Sequence, residues 1–403
     1  MVIAESRAVA PESVGLNTSR LARIEEVVQR YIDRGVIAGA VTLISRRGQV
    51  AHLEAHGHMD VAAGRAVQPH TIFRLASMTK PVVSVAILTL FEAGKLLLTD
   101  PVSAFLPMFK EMQVATPEGL VPASREITLF DLLTHTSGLG SAPSGASFDA
   151  WSRVLQERPA GATLADLVPR MASTPLSFQS GTAWEYSGVF GFDTLARVVE
   201  VVSGIGFEQY LQQQIFEPLA IKDTTFHVPP EKMSRVTVAY QRGPNGLEAG
   251  TPGNILGDST NPNARYTSGG GGLAGTAEDY ARFGDMLCNG GQLDEERILS
   301  RKTVELMASN HIRDLPLILG ASDLRGYRFG LGVRVLDSPA AACTLLSRGS
   351  FGWAGAFGTN SWIDPVEQMV GIMLIQRMPD MTDSELRTLW PRIQNTAYQA
   401  LED

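Results

Sequence analysis

At 403 residues the chain is longer than one compact core supports, which points to two or three domains, formed by insertion rather than in tandem. With 44% hydrophobic and 19% charged residues, its composition is that of a globular protein and excludes a disordered or coiled-coil chain. A formal net charge of −8, with no run of Lys and Arg interleaved with aromatics, excludes a nucleic-acid surface and favours small-molecule partners.

In chain order, Asn17, Thr18 and Ser19 offer N-caps for a helix whose Leu21, Ile24, Val28 and Tyr31 share a face, and Gly35 stops it. The stretch GAVTLISRRGQVAHLEAHG then gives two β-rich runs about an Arg-Arg-Gly turn, the pattern of a hairpin whose second strand ends at Gly57. From Pro81 to about Glu305, helical segments alternate with Gly/Pro/Ser-rich loops such as THTSGLGSAPSGAS, too long to be mere connections. Strand signals return at YRFGLGVRVLD, AACTLLSR, GTNSWID and QMVGIMLIQR. A closing helix from about Asp383 buries Leu386, Leu389, Trp390 and Ile393. This order predicts an α+β fold: an antiparallel sheet flanked by helices, built from residues 1–80 and 306–403, with a mostly helical domain inserted at 81–305.

Cys288 and Cys343 lack CxxC spacing and read as two buried free thiols. No apolar run of about 18 residues appears, and the first residues lack the basic and apolar regions of a secretory signal. A cytoplasmic protein without a membrane span is the expectation. The composition carries no reading of oligomeric state.

The chemistry begins at Ser77-Met78-Thr79-Lys80, an S-x-x-K tetrad at a predicted helix start. Residues three apart share a helical face, so an ammonium there reaches the serine oxygen. A serine hydroxyl needs a base within about 2.6–3.2 Å, and a lysine serves as one where burial and the positive helix end disfavour its charge. Alone, the tetrad also fits a helix start with a snorkelling lysine. Tyr186 lies in WEYSGVFGF and Trp353 in the Gly-rich RGSFGWAGAFGTNSWID; each alone reads as a buried aromatic.

Together and in this order, the three stretches resemble the serine β-lactamase and penicillin-binding-protein superfamily, with its S-x-x-K, Y-x-N and K-T-G or H-T-G motifs. FRLASMTKPVVSVAILTLFEAGKLLLTDPVSAFLP, ITLFDLLTHTSGL, PLAIKDTTF and SGGGGLAGTAEDYARF extend the resemblance over nearly the whole chain. Two motifs depart from it. Tyr186-Ser187-Gly188 lacks the amide of Y-x-N, and Trp353-Ala354-Gly355 replaces the cation of K-T-G with an aromatic wall bearing one donor. This is similar to the family VIII carboxylesterases, which pair a β-lactamase-like fold with a W-x-G motif.

The resemblance implies a β-lactamase/transpeptidase-like fold and hydrolysis of short-chain esters through an acyl-enzyme on Ser77. Lys80 and Tyr186 would share the serine proton, with the base left open between them. The backbone N–H groups of Ser77 and Ala356 would form the oxyanion hole, and Trp353, Gly355 and Gly188 would line the substrate. No cofactor or metal is implied. An acyltransferase using the same acyl-enzyme, a weak β-lactamase or penicillin-binding activity, and a sensor that acylates once are the alternatives.

Other patterns weigh less. No G-x-S-x-G surrounds any serine, so a nucleophile elbow is absent, and SGGGG reads as a tight loop rather than a phosphate cradle. His52, His56 and His58 share a strand face by parity, but no carboxylate motif accompanies them for a metal. His135 reads as ordering its loop by a hydrogen bond, and Asp131 as capping or bracing the same loop.

Overall fold

The structure is a computed structural model describing residues 8–244, 246–253, 256–261, 263–318, 324–378 and 383–403. Asn17 caps a short helix, Thr18–Leu21, by accepting the Arg20 N–H. Helix α1, Arg23–Asp33, follows and buries Ile24, Val27, Val28 and Tyr31 along one face before Gly35 turns the chain in the left-handed region. Strands β1, Gly39–Arg46, and β2, Gln49–Asp60, form the expected hairpin. Gly57 does not end β2: at φ +69° it lies inside the strand, where a Cβ would come within 2.3 Å of the Ala38 carbonyl oxygen. A glycine accommodates that approach, so the strand passes through it. β3, Arg65–Ala66, pairs with the end of β2.

Helix α2, Thr79–Glu92, is buried almost all round, as a helix apolar on every side must be. Pro81 sits in its first turn, where a backbone N–H has no intrahelical acceptor to lose. Helices α3, Leu129–Leu133, α4, Leu164–Ala172, and α5, Phe190–Ser203, pack beyond it. Helix α6, Ala277–Cys288, capped by Thr276, returns the chain to the sheet; a Cβ on its Gly284 would lie 2.7 Å from a methyl of Val370.

The later strands are β4, Tyr327–Phe329, β5, Arg334–Leu336, β6, Phe351–Gly352, β7, Asn360–Asp364, and β8, Met369–Leu374. Together they make one eight-stranded antiparallel sheet in the order β4-β5-β6-β7-β8-β1-β2-β3. The early hairpin joins the late strands through β1 and β8, from Val41 opposite Leu374 to Arg46 opposite Met369. Helix α7, Leu386–Tyr398, buries Leu389, Trp390 and Ile393, with Leu386 half-buried at its start.

The two central strands are buried on both faces. Val41, Leu43, Val370, Ile372 and Leu374 face α6 and the helical region, whereas Ala40, Ile44, Met369 and Met373 face α1 and α7. Alternate residues thus enter two separate cores, and a fully buried side chain of this kind contributes about 1.5–3 kcal/mol.

AACTLLSR is not a strand. Ser338 caps and Pro339 opens a one-turn helix, Pro339–Ala342, and these start signals prevail over the short apolar run. Cys343 leaves that turn at φ +53° and is exposed, and Cys288 is half-buried. The thiols are free but not the buried pair expected. Among the described residues no helix is long and apolar enough to cross a membrane.

Candidate active site

A short strand, Phe73–Arg74, pairs with Ala274–Gly275, and the Leu75 N–H bonds the Leu273 carbonyl. Ala76 then takes φ +47°, a left-handed conformation that costs a residue with a Cβ, and a 3₁₀ turn, Ala76–Met78, runs into α2. This turn sets Ser77 at the helix mouth and Lys80 one turn deeper. Ser77 is 8% exposed and Lys80 fully buried.

Lys80 Nζ reaches Ser77 Oγ at 3.2 Å, the Gly188 carbonyl at 2.7 Å and the Gly270 carbonyl at 2.6 Å. The Tyr186 hydroxyl donates to the same Ser77 Oγ at 2.8 Å, and Lys80 Nζ sits 4.9 Å from the centre of the tyrosine ring. Residues far apart in sequence therefore converge on one oxygen. Gly188, expected to line the substrate, turns its carbonyl to Lys80.

The loop after β6 completes the arrangement. A Cβ on Gly355 would lie 2.3 Å from the Leu75 carbonyl oxygen, so only glycine lets this loop approach the turn before Ser77 so closely. Thr359 ties it there: its hydroxyl donates to the Leu75 carbonyl at 3.1 Å, and its own carbonyl accepts the Gly355 N–H at 2.8 Å. The backbone N–H groups of Ser77 and Ala356 have no acceptor among the described residues. Trp353 is half-buried against Phe329 and Tyr186, at ring separations of 5.2 and 5.3 Å, and its indole N–H points to the Tyr186 oxygen at 3.4 Å.

His135 clamps the Tyr186 loop from both sides. Its Nδ1 accepts the Ser187 N–H at 3.2 Å, its carbonyl accepts the Glu185 N–H at 3.1 Å, and its ring lies 4.7 Å from that of Tyr186. Burial, with Lys80 nearby, holds its titration well below the ordinary histidine value, so the ring stays a neutral acceptor. Asp131 closes a capping box with Thr128 and takes Arg125 on both oxygens, at 2.6 and 2.8 Å.

Asp193 was not singled out by the sequence reading. It is fully buried in the first turn of α5 and accepts from Tyr266, from Ser268 at 2.8 Å and from the Gly270 N–H at 2.8 Å. A lone carboxylate in the apolar run VFGFDTLARVV was the available signal, because such groups are rarely buried without a task. SGGGG is a packed loop: a Cβ on Gly269 would meet the Phe192 carbonyl at 2.3 Å, and one on Gly270 would meet Val189 at 2.8 Å.

The histidine row on β2 differs from its expectation. Glu54 does accompany it, 3.3 Å from His56 Nε2 and 3.7 Å from His52 Nδ1. Thr42 occupies the other nitrogen of His52 at 2.8 Å, and His58 is exposed. Burial pushes the His52 titration down to about 4.

Comparison with known proteins fits this geometry into a wider group. Esterase EstB from Burkholderia gladioli is 32% identical over 386 residues, covering 91% of this chain and 92% of its own. The structure of EstCE1, described as a hydrolase with promiscuous acyltransferase activity, matches with a TM-score of 0.78 at 26% identity, over 94% of this chain and 99% of that one. Simvastatin synthase LovD from Aspergillus terreus matches with a TM-score of 0.78 at 22% identity, over 94% of this chain and 98% of that one, and so shares the fold. The family model described as Beta-lactamase matches residues 24–394, from α1 to α7, and the chain therefore belongs to the Beta-lactamase family, with its mixed α+β, β-lactamase/transpeptidase-like fold.

Proposed function

We propose that this protein is a serine carboxylesterase acting on short-chain esters through an acyl-enzyme at Ser77. The observation that carries the reading is the convergence of Lys80 Nζ and Tyr186 OH on Ser77 Oγ, at 3.2 and 2.8 Å. Ser77 Oγ attacks the ester carbonyl carbon while its proton passes into the Lys80–Tyr186 pair. The carbonyl oxygen, now negative, is received by the Ser77 and Ala356 N–H groups, donors worth a few kcal/mol each in such a role (about 3). The carbon–oxygen bond to the alcohol then breaks, the alcohol takes the proton, and water repeats the sequence to release the acid and restore Ser77.

Trp353 supports an ester over a β-lactam or a peptide terminus. Residue 353 offers an apolar wall and no positive charge for a substrate carboxylate. The likeness to esterase EstB points the same way. Acyl transfer is the second reading, favoured by the likeness to EstCE1; added alcohols that speed loss of the acyl group and appear as new esters would support it.

Release of p-nitrophenol from a short-chain p-nitrophenyl ester tests the proposal. Steady turnover is expected in the native protein, with a loss of at least about 10³-fold in Ser77→Ala. Activity surviving in Ser77→Ala overturns the assignment, and one equivalent released without turnover points instead to a sensor or a transferase lacking its acceptor.

A further inference from the structure

A buried carboxylate stands behind Lys80 without bonding to it. Among the described residues Asp193 accepts from neutral donors only: the Tyr266 and Ser268 hydroxyls and the Gly270 N–H. Three such donors soften the cost of burying a charge, and Lys80 lies on the other side of Gly270. That glycine gives its N–H to Asp193 Oδ1 at 2.8 Å and its carbonyl to Lys80 Nζ at 2.6 Å. The loop packs closely here: a Cβ on Gly270 would meet the Val189 Cα at 2.8 Å and the Gly188 carbonyl oxygen at 2.9 Å. Gly188 is also the second carbonyl on Lys80. The two carbonyls fix two of the three directions of the amine, leaving the third on Ser77 Oγ.

We propose that Asp193 is a positioning residue for nucleophile activation: through Gly270 it orients Lys80 onto Ser77, and its negative charge stabilises the positive charge of Lys80 as Ser77 loses its proton. The proposal deepens the esterase reading and rests on it for the identity of the nucleophile. It holds whether the proton goes directly to Lys80 or reaches it through Tyr186, because Lys80 gains its positive charge in either case.

The groups facing this carboxylate are Lys80 from α2 and Tyr266 from the loop before Ser268. His135 lies beyond Phe192, at a ring separation of 5.3 Å, and Arg158 stacks 4.4 Å over the Tyr266 ring. Burial raises the Asp193 titration above the ordinary carboxylate value, and the same burial keeps Tyr266 a phenol. On the acid side Asp193 therefore gains a proton and its charge behind Lys80 disappears. Asparagine imitates that state at every pH.

The test is the rate at which a fluorophosphonate probe labels Ser77, measured against pH by mass spectrometry in the native protein and in Asp193→Asn. The reaction needs an activated serine but no ester turnover. The expected result is a folded variant labelled at least about tenfold more slowly at pH 8, from which the native acid limb has vanished. A native labelling rate, or a uniform loss that keeps the native acid limb, overturns the proposal. Should Asp193→Asn fail to fold, Tyr266→Phe decides, because it withdraws one donor from the carboxylate and leaves the charge in place. An acid limb moved to higher pH supports the proposal, and an unmoved limb overturns it. A native protein that labels at Ser77 but hydrolyses no ester overturns the esterase reading alone, whereas native labelling rates in the Asp193 variant overturn only the positioning role.

Discussion

Asp131 and Asp193 are both buried carboxylates in the first turn of a helix, and they differ in how they meet a cation. Asp131 takes the Arg125 guanidinium directly on both oxygens and closes the cap of α3, so its charge is answered on the spot and a loop is fixed. Asp193 meets its cation across one glycine and satisfies its oxygens with neutral donors. A directly bonded pair locks both partners, whereas a pair separated by a peptide leaves the cation free to exchange protons with a third group. The first arrangement suits architecture and the second suits chemistry.

Breaking the contrast at its chemical end is the largest test. Lys80→Met should lower kcat/KM for a p-nitrophenyl ester by about 10³-fold, since a positioned base contributes 10²–10⁴. Near-native turnover would place Lys80 with Arg125 as a structural cation. Next comes the architectural end. Asp131→Asn should lower stability by about 2 kcal/mol in urea unfolding, through the lost cap and charge-assisted bonds, while kcat changes less than about twofold. A large kcat loss in the folded variant would erase the distinction.

The smallest effect concerns pH. Asp193 has a folded-state pKa raised above its ordinary 3.8 by burial. A raised group contributes stability that is full below the unfolded value and is lost as pH rises through the folded one. The stability of the native protein relative to Asp193→Asn should therefore decline as pH rises from about 4, read as a falling difference in urea midpoints. A difference independent of pH would mean that the burial of this carboxylate carries no charge penalty.

Much of this arrangement was legible because local rules and chemistry agreed. The amphipathic face of α1, the hairpin of β1 and β2 and the S-x-x-K turn each follow from short-range spacing. AACTLLSR misled because a run of small and apolar residues hides a cap that outweighs it. Parity placed three histidines on one face of β2 but could not say that Thr42 and Glu54 would engage two of them. Asp193 escaped notice because its meaning lies in three donors from a loop more than seventy positions away, a contact that no local period encodes.

The loop after β6 touches the turn before Ser77 through Gly355 and Thr359. The contact that holds the loop and the indole proposed to meet the substrate therefore sit at different positions, although the indole packs on Phe329 and Tyr186. The same separation makes residue 353 the natural place to begin a directed-evolution library.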